Sequence, residues 1–518
     1  MRGCWCLRNV SAAVMLSATL LPASPHAQPV REASRRLKVV VVVFDGLRPD
    51  HVTVSKTPAL YAMAQRGVLS RQHHSLFPTV TRVNASALAT GAGPDTHGIL
   101  DNTIYLPTVR VDRGLNTADA AEMLLADSIL GGRLLTARSL HERLAARGLR
   151  VVVASAGSSG SAYLLAGAGR AVTLGVDFTR PATLQSLVDR TLGAAPVDAS
   201  PNLQANSRAV DALLRIGVDS LDSDVAYLWL SDPDHTAHAA GLGSIMADSS
   251  IRAADRDFGR LLAGLKARGL DRQVDMFVVS DHGFSTHAGG DAALSKLLKP
   301  FGERVVVAGS AVYVRDGLSS TRGEVVRVLQ ESPAVGAIFT APGAQKTLSE
   351  GVERGTLSYA SIGWTHERAG DVLYSANWSH TANAAGIEGH SEQPGVAGHG
   401  TSSPHDMIAT FVAAGPHIRQ GIFAALPSSN ADIVPTILHL LGVSDTTGMT
   451  GRPLRELLIL PRRVSLPRAS RDSIVVSHDL TASMLRYRTV AYRTRVGTTW
   501  YFDSTKTSRT ARKRNAPR

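Results

Sequence analysis

The sequence predicts an α/β fold, a mostly parallel central sheet flanked by helices on both faces, with inserted α+β segments and a small C-terminal β extension. Three observations predict it. Short apolar runs rich in β-branched residues recur at 39–44, 151–154, 225–230, 276–279 and 408–413, with the length and composition of strands buried on both faces. Segments of helical spacing separate them, each closing on a glycine suited to a helix C-terminus. Acidic and histidine residues stand directly after three of the runs. Strand–helix alternation of this kind builds a parallel sheet.

Taken in order, the chain opens with Arg2 and Arg8, an apolar stretch over 10–21 and a small, polar run at 23–27. This is the layout of a secretory signal over 1–27, too short in its apolar part for the roughly 20 residues of a membrane span. The exported product, periplasmic or secreted, is expected to carry no transmembrane segment. Both cysteines, Cys4 and Cys6, fall inside that leader. The mature chain is then without thiolates, and any tightly held metal must take oxygen and imidazole ligands.

A core domain is expected over 37–443. Its helical segments include Leu60, Met63 and Ala64 before Gly67, Leu140 and Leu144 before Gly148, Phe258 to Leu265 before Gly269, and Ile433 to Leu441 before Gly442. Insertions are expected at about 103–137, which reads as irregular, and at 300–398, which mixes short strands, one helix and a Gly/His-rich segment. The remainder, 444–518, is a basic extension with a small β-hairpin over 484–503 and a solvated end.

Charge supports this division. The formal net charge is +12. Residues 444–518 carry 16 basic and 5 acidic side chains, whereas 28–443 carry 37 and 38. The core is electrically balanced and the tail holds the excess. No aromatic interleaving accompanies the basic residues, so no specific nucleic-acid partner is expected.

The chemistry lies at the strand ends. Asp45 follows the run 39–44. Asp232, Asp234, His235 and His238 follow 225–230, and Asp281 and His282 follow 276–279. In an open parallel sheet the carboxyl ends of the strands face one crevice. Three strands therefore deliver carboxylates and imidazoles to one edge, where a divalent cation relieves their mutual repulsion. Singly each has an ordinary reading: Asp45-Gly46 as a turn, Asp234 and His238 as an i, i+4 surface pair. Thr79 and Thr81 precede a helical pattern that closes at Gly91, a position that suits a plain cap or a nucleophile favoured by the helix end. Asn102 offers an amide donor.

These pieces together resemble the alkaline phosphatase superfamily, in its type I phosphodiesterase / nucleotide pyrophosphatase branch. The matching motifs are Val-Phe-Asp45-Gly, Phe-Pro-Thr-x-Thr81 running to Thr-Gly91, His97-Gly-Ile to Asn102, Asp-Pro-Asp234-x-x-x-His238, Ser-Asp281-His282-Gly and His399-Gly, in family order. The resemblance implies an alkaline-phosphatase-like sheet and two divalent metal ions of zinc type. One is held by Asp45, Asp281 and His282, the other by Asp234, His238 and His399. It implies Thr81 as nucleophile, Asn102 as donor to a phosphoryl oxygen, and hydrolysis of a small phosphodiester or pyrophosphate through a phosphothreonine intermediate. Thr79 competes as nucleophile, and His390 and His405 compete with His399.

The sequence departs from that pattern after Thr81, where nucleotide-cleaving relatives carry an aromatic residue and this chain has Arg82. An arginine there suits a second anionic group on the substrate, its ordinary reading being a pair with a local acid. Trp229 sits where relatives carry an aromatic near the substrate and is a candidate stacking surface, although its place inside an apolar strand suits core packing at least as well. Hydrolysis of a phosphomonoester, phosphonate or sulfate ester at the same centre is the alternative. A non-catalytic, metal-stabilised binding protein is the reading from another class.

Overall fold

Strand β1, Val39–Phe44, is buried along its whole length, and its alternate side chains enter two different cores. Val40, Val42 and Phe44 join one; Val39, Val41 and Val43 join the other, as the two-residue period of a strand requires. The computed structural model describes residues 36–289, 296–343, 349–460, 465 and 467–511. The leader expected at 1–27 lies outside them.

Around β1 are β2 (Val68–His74), β3 (Val151–Ser155), β4 (Val172–Gly175), β5 (Thr179–Arg180), β6 (Val225–Leu230), β7 (Asp275–Val279), β8 (Ile408–Ala414) and β9 (Ile422–Ala424). Their order across the sheet is β9-β2-β8-β7-β1-β6-β3-β4-β5, and Ser428–Ser429 also pairs with β2. Parallel pairing joins β1 to β6 and β7, and β3 to β4 and β6. Only β8 and β5 run against their neighbours. Because β8 opposes both β7 and β2, β2 runs the same way as β1. The C-terminal ends of β1, β2, β3, β6 and β7 and the start of β8 therefore share one edge.

Helices cover both faces. On one, α1 (Pro58–Arg66) buries Leu60, Met63 and Ala64, and on the other α2 (Thr81–Thr90) buries Ala85 and Leu88. The 23-residue α3 (Ile245–Ala267) sets Ile251, Ala254, Phe258, Leu261 and Leu265 on the first face. Each large apolar side chain among them contributes roughly 1.5–3 kcal/mol on burial. Helix α4 (Ile433–Leu440) closes the second face.

Strand β2 escapes a sequence reading. Its core is Ser70-Arg71-Gln72-His73-His74, polar in type, yet Ser70, His73 and His74 are buried. His73 is accommodated by hydrogen bonds to Ser428 Oγ at 2.9 Å and Asn430 Oδ1 at 3.1 Å. Polar burial of this kind is tolerated because each ring nitrogen has a partner.

The 300–398 segment contributes to two small sheets. One comprises Val305–Ala308, Ala311–Val314, Val335–Thr340, Leu357–Ser358 and Val372–Ala376, with helix Ser319–Glu331 packed on it. The other joins Trp378–Ala382 and Glu388–Ser391 to Ser285–His287 and Ala397–Gly398. The 103–137 stretch is less irregular than its composition suggests: Thr103–Ile104 pairs with Leu115–Asn116, and Ala120–Ile129 is helical behind an Asp119 cap.

The C-terminal segment differs from the expected hairpin and solvated tail. Residues 469–511 form a three-stranded antiparallel sheet, β10 (Ala469–Leu480), β11 (Leu485–Val496) and β12 (Thr499–Ala511). The first strand is mostly polar and exposed, so hydrophobic alternation does not reveal it. The sheet is fastened to the core: Tyr501 Oη donates to Asp432 Oδ2 at 2.9 Å, His74 Nε2 meets Asp503 Oδ1 at 3.0 Å, and Tyr487 Oη donates to the Gly336 carbonyl at 2.8 Å.

Candidate active site

The sheet register sets the first contacts. Phe44 pairs with Leu230 on one side, and Val43 with Val279 on the other. Asp45 and Asp281 thus emerge side by side, and Asp281 Oδ1 accepts the Gly46 N–H at 3.1 Å. The loop after β6 turns through Ser231, Asp232 and Pro233 into helix Asp234–Ala240, which places Asp234 and His238 on one face. His399 arrives from elsewhere. Ala397–Gly398 pairs antiparallel with Ser285–Thr286, the strand just after His282. That pairing stacks the His399 ring on the His282 ring, with centroids 3.5 Å apart and 17° between planes.

The three imidazoles share one pattern. His282 Nδ1 lies 2.9 Å from the Gly283 carbonyl, His238 Nδ1 3.0 Å from the Ala397 carbonyl, and His399 Nδ1 2.8 Å from the Thr79 carbonyl. A carbonyl only accepts, so each Nδ1 carries the proton and each Nε2 presents a lone pair. Those lone pairs face carboxylate oxygens. His238 Nε2 and His399 Nε2 are each 3.3 Å from Asp234 Oδ1. His282 Nε2 is 3.1 Å from Asp281 Oδ2, 3.6 Å from Asp45 Oδ1 and 4.0 Å from Asp234 Oδ1.

Asp45 Oδ1, Asp234 Oδ1 and Asp281 Oδ2 are buried and accept no hydrogen bond. Donor atoms of Asp234, His238 and His399 lie within 4.8 Å of one another, as do those of Asp45, Asp234 and His282. Acceptors crowded together without donors call for a cation. The all-oxygen-and-imidazole set fits a borderline divalent ion, and the backbone carbonyls holding Nδ1 are the outer support such ligands need.

The electrostatics record the same imbalance. Burial first, then the charges of Asp281 and Asp234, push the Asp45 carboxyl well above the usual carboxylate range. Burial acts the same way on Asp234, but His238 and His399 outweigh it and hold that carboxyl well below the range. Burial lowers His282, and Asp281 and Asp234 more than reverse it. Burial and the neighbouring His282 bring His399 down to about 4.

Thr81 opens α2 at the same place, its Oγ1 3.3 Å from His282 Nε2. Thr79 does not: its hydroxyl donates to the Thr401 carbonyl at 2.8 Å and accepts the Gly400 N–H at 3.0 Å. His405 turns away and pairs with His380 at 3.0 Å. Asn102 Oδ1 accepts the Arg82 N–H at 3.0 Å, which leaves its NH2 to donate. Thr81, Arg82, Asp45 and Asp234 line a cavity of about 580 Å³.

Trp229 corrects the sequence reading. Its side chain is fully buried, and Nε1–H donates to Asp45 Oδ2 at 2.9 Å. It offers no ring face to a ligand and instead orients a carboxylate. Asp232 is likewise structural, accepting from Thr236 Oγ1 at 2.7 Å and the Asn202 N–H at 2.8 Å. Two further participants had no sequence signal. Ser158 beyond β3 hydrogen-bonds Arg82, and Asn430 donates to the Asp281 carbonyl at 2.9 Å.

Residues 39–383 match the description "Type I phosphodiesterase / nucleotide pyrophosphatase". Ectonucleotide pyrophosphatase/phosphodiesterase family member 7 of Rattus norvegicus is 26% identical over 281 residues, 53% of this chain and 56% of that protein. A venom phosphodiesterase of Macrovipera lebetinus is 24% identical over 264 residues, 50% of this chain and 27% of that protein. The chain thus spans about a quarter to just over half of the length of these curated relatives. Among solved structures, murine ectonucleotide pyrophosphatase / phosphodiesterase 5, in an inactive form with AMP, superposes with TM-score 0.57 at 18% identity, covering 82% of this chain and all of that one. A mutant of alkaline phosphatase PafA gives TM-score 0.64 at 17% identity, covering 82% and 99%. At such identities the likeness is one of fold.

Proposed function

The chain belongs to the type I phosphodiesterase / nucleotide pyrophosphatase family, and on that premise we propose that it is a metal-dependent hydrolase of phosphodiester or pyrophosphate bonds with Thr81 as nucleophile. The observation that carries this reading is the position of Thr81 Oγ1, 3.3 Å from His282 Nε2 among carboxylate oxygens that lack donors.

Asp45, Asp281 and His282 would hold one divalent cation and Asp234, His238 and His399 a second, zinc by their donor chemistry. Bound there, such ions supply Lewis acidity to the attacking and leaving oxygens. The protein's own groups do the rest. Helix α2 puts Thr81 at its first turn, where the helix end favours negative charge. Asn102, fixed through its Oδ1, donates from Nδ2 to a non-bridging phosphoryl oxygen. Thr81 gives its hydroxyl proton to solvent, its Oγ1–phosphorus bond forms as the bond to the leaving oxygen breaks, and that oxygen keeps the electron pair. Water then cleaves the phosphothreonine and restores Thr81. Positioning and electrostatics supply most of the rate in phosphoryl transfer.

Export is part of the same proposal and rests on the leader pattern. Among the described residues no helix is long and apolar enough to cross a membrane. The test is hydrolysis of an aryl phosphodiester and of a nucleotide pyrophosphate bond by the protein and by Thr81→Ala. Acid-quenched wild type should carry on Thr81, by peptide mass spectrometry, the substrate's phosphoryl group with the ester substituent that did not leave. A label on another residue, or full activity in Thr81→Ala, removes Thr81 from the role.

A further inference from the structure

Resting on that reading of the site, we propose that Arg82 and Ser158 form an anion seat beside Thr81, which selects substrates with an unesterified anionic oxygen beyond the two of a simple phosphodiester. Such an oxygen is the third one of a phosphomonoester or belongs to the terminal phosphate of a pyrophosphate.

Arg82 directly follows Thr81 in the first turn of α2, and its backbone N–H positions Asn102. Among the described residues its guanidinium makes one side-chain hydrogen bond, from Nη2 to Ser158 Oγ at 3.2 Å, while Nε is buried without any partner. Two other inward-turned arginines serve structure and are paired with carboxylates. Arg452 meets both oxygens of Glu456 and reaches Tyr501 Oη at 2.8 Å. Arg48 is forked onto Asp50 and donates to the Phe284 carbonyl at 2.8 Å. Arg82 has no carboxylate of this kind. Asp45, Asp234 and Asp281 act on the guanidinium only through space, so its donors stay unpaired away from water, and an anionic ligand takes them up through short charge-assisted hydrogen bonds.

The cavity defines what the ligand looks like. Arg82, Ser158 and Thr81 line the same 580 Å³ space, so a group bound by the guanidinium reaches the nucleophile. Apart from His235, no aromatic residue lines that space, and Trp229 is buried behind Asp45. The nearby walls are small: Ala118, Ala156 and Gly157. With no ring to stack a base, discrimination falls to the phosphate end of the substrate, where Arg82 presents a fork that matches planar pairs of anionic oxygens.

The experiment compares kcat/KM for three substrates: p-nitrophenyl phosphate, methyl p-nitrophenyl phosphate as the simple diester, and ADP. Arg82→Ala should lower the monoester and ADP values by about 10–100-fold, the scale of a lost charge-assisted contact, and leave the simple diester within about threefold. Arg82→Lys should recover part of the loss. A loss confined to the monoester identifies its third oxygen as the anion, and one confined to ADP identifies the terminal phosphate. Equal losses on all three substrates, or none, overturn the proposal. Inorganic phosphate titrated into Thr81→Ala by calorimetry tests the seat without turnover, and adding Arg82→Ala must weaken that binding about as much. If wild type cleaves none of the substrates, the catalytic reading fails and this titration alone decides the seat. Should Arg82→Ala not fold, Arg82→Lys and Ser158→Ala carry the same readouts.

Discussion

Trp229 Nε1–H donates to Asp45 Oδ2 at 2.9 Å, from a fully buried indole one strand away from the carboxylate it holds. The bond fixes which Asp45 oxygen remains without a donor and faces His282, 3.6 Å away. Trp229→Phe keeps most of the ring volume and deletes the donor. Metal affinity, read by competition with a chelator, should drop about 10–100-fold, as for other outer supports of ligands. An unchanged affinity would show that packing alone orients Asp45.

Gly283 follows His282 where β-carbon substitution has no room. A Cβ there would lie 2.0 Å from the His405 carbonyl oxygen and 2.8 Å from that of Ile408. Both obstacles are backbone, so the loop must move. Gly283→Ala should cost on the order of 1–3 kcal/mol and weaken metal binding, because the Gly283 carbonyl holds His282 Nδ1. Denaturant unfolding and metal titration measure the two effects, and wild-type values in both would contradict this packing.

Two histidines outside the centre link stability to pH. Burial, opposed in His73 by the Asn430 hydrogen bond, lowers His73 to about 3, and burial together with His366 lowers His97 to about 3. The unfolded chain takes up these protons near pH 6.5 while the folded one does not, so the unfolded state binds more protons and stability rises with pH across that window. From pH 6.5 down to 5 each residue should cost roughly 2 kcal/mol. His73→Gln should flatten that part of a urea-unfolding profile by about this amount. An unchanged slope rules out His73 as its source.

Removal of divalent ions leaves Asp45 Oδ1, Asp234 Oδ1 and Asp281 Oδ2 buried together without hydrogen-bond donors. Chelation should abolish hydrolysis and lower Tm, and zinc should restore both. An ion present at about 1,000 times its Kd contributes about 4 kcal/mol to folding. A Tm insensitive to chelator, with no metal in the purified protein, would refute the cation assignment.

The C-terminal sheet is predicted to be part of the folded unit. Tyr501 Oη donates to buried Asp432 and accepts from Arg452 Nε at 2.8 Å. Tyr501→Phe should cost about 1–3 kcal/mol by leaving those groups short of a partner. Stability unaffected by that change would mean the sheet adds nothing to the core.

Much of the fold was legible because buried parallel strands and amphipathic helices write their periods into the chain. The strands over 39–44 and 225–230, and the closing glycine after α2, stand where the pattern puts them. Strand β2 and β10 were hidden because polar side chains fill them, and their pairing depends on partners hundreds of residues away or on a neighbouring strand rather than on their own hydrophobicity. Trp229 was misread for a related reason. An indole in an apolar run looks the same from sequence whether its N–H or its ring face does the work.

By itself the sequence determined the α/β class, the strand ends that carry Asp45, Asp234 and Asp281, and the oxygen-and-imidazole chemistry available there. These follow from local periodicity and residue type. Only the tertiary structure decided that His399, rather than His405, enters the cluster, that the Thr81 hydroxyl rather than that of Thr79 lies beside His282, and that Arg82 has a single side-chain partner. Each of those outcomes turns on pairings between distant segments, such as Ala397–Gly398 against Ser285–Thr286. Long-range register is a property of the packed sheet and leaves no mark on any one stretch of chain.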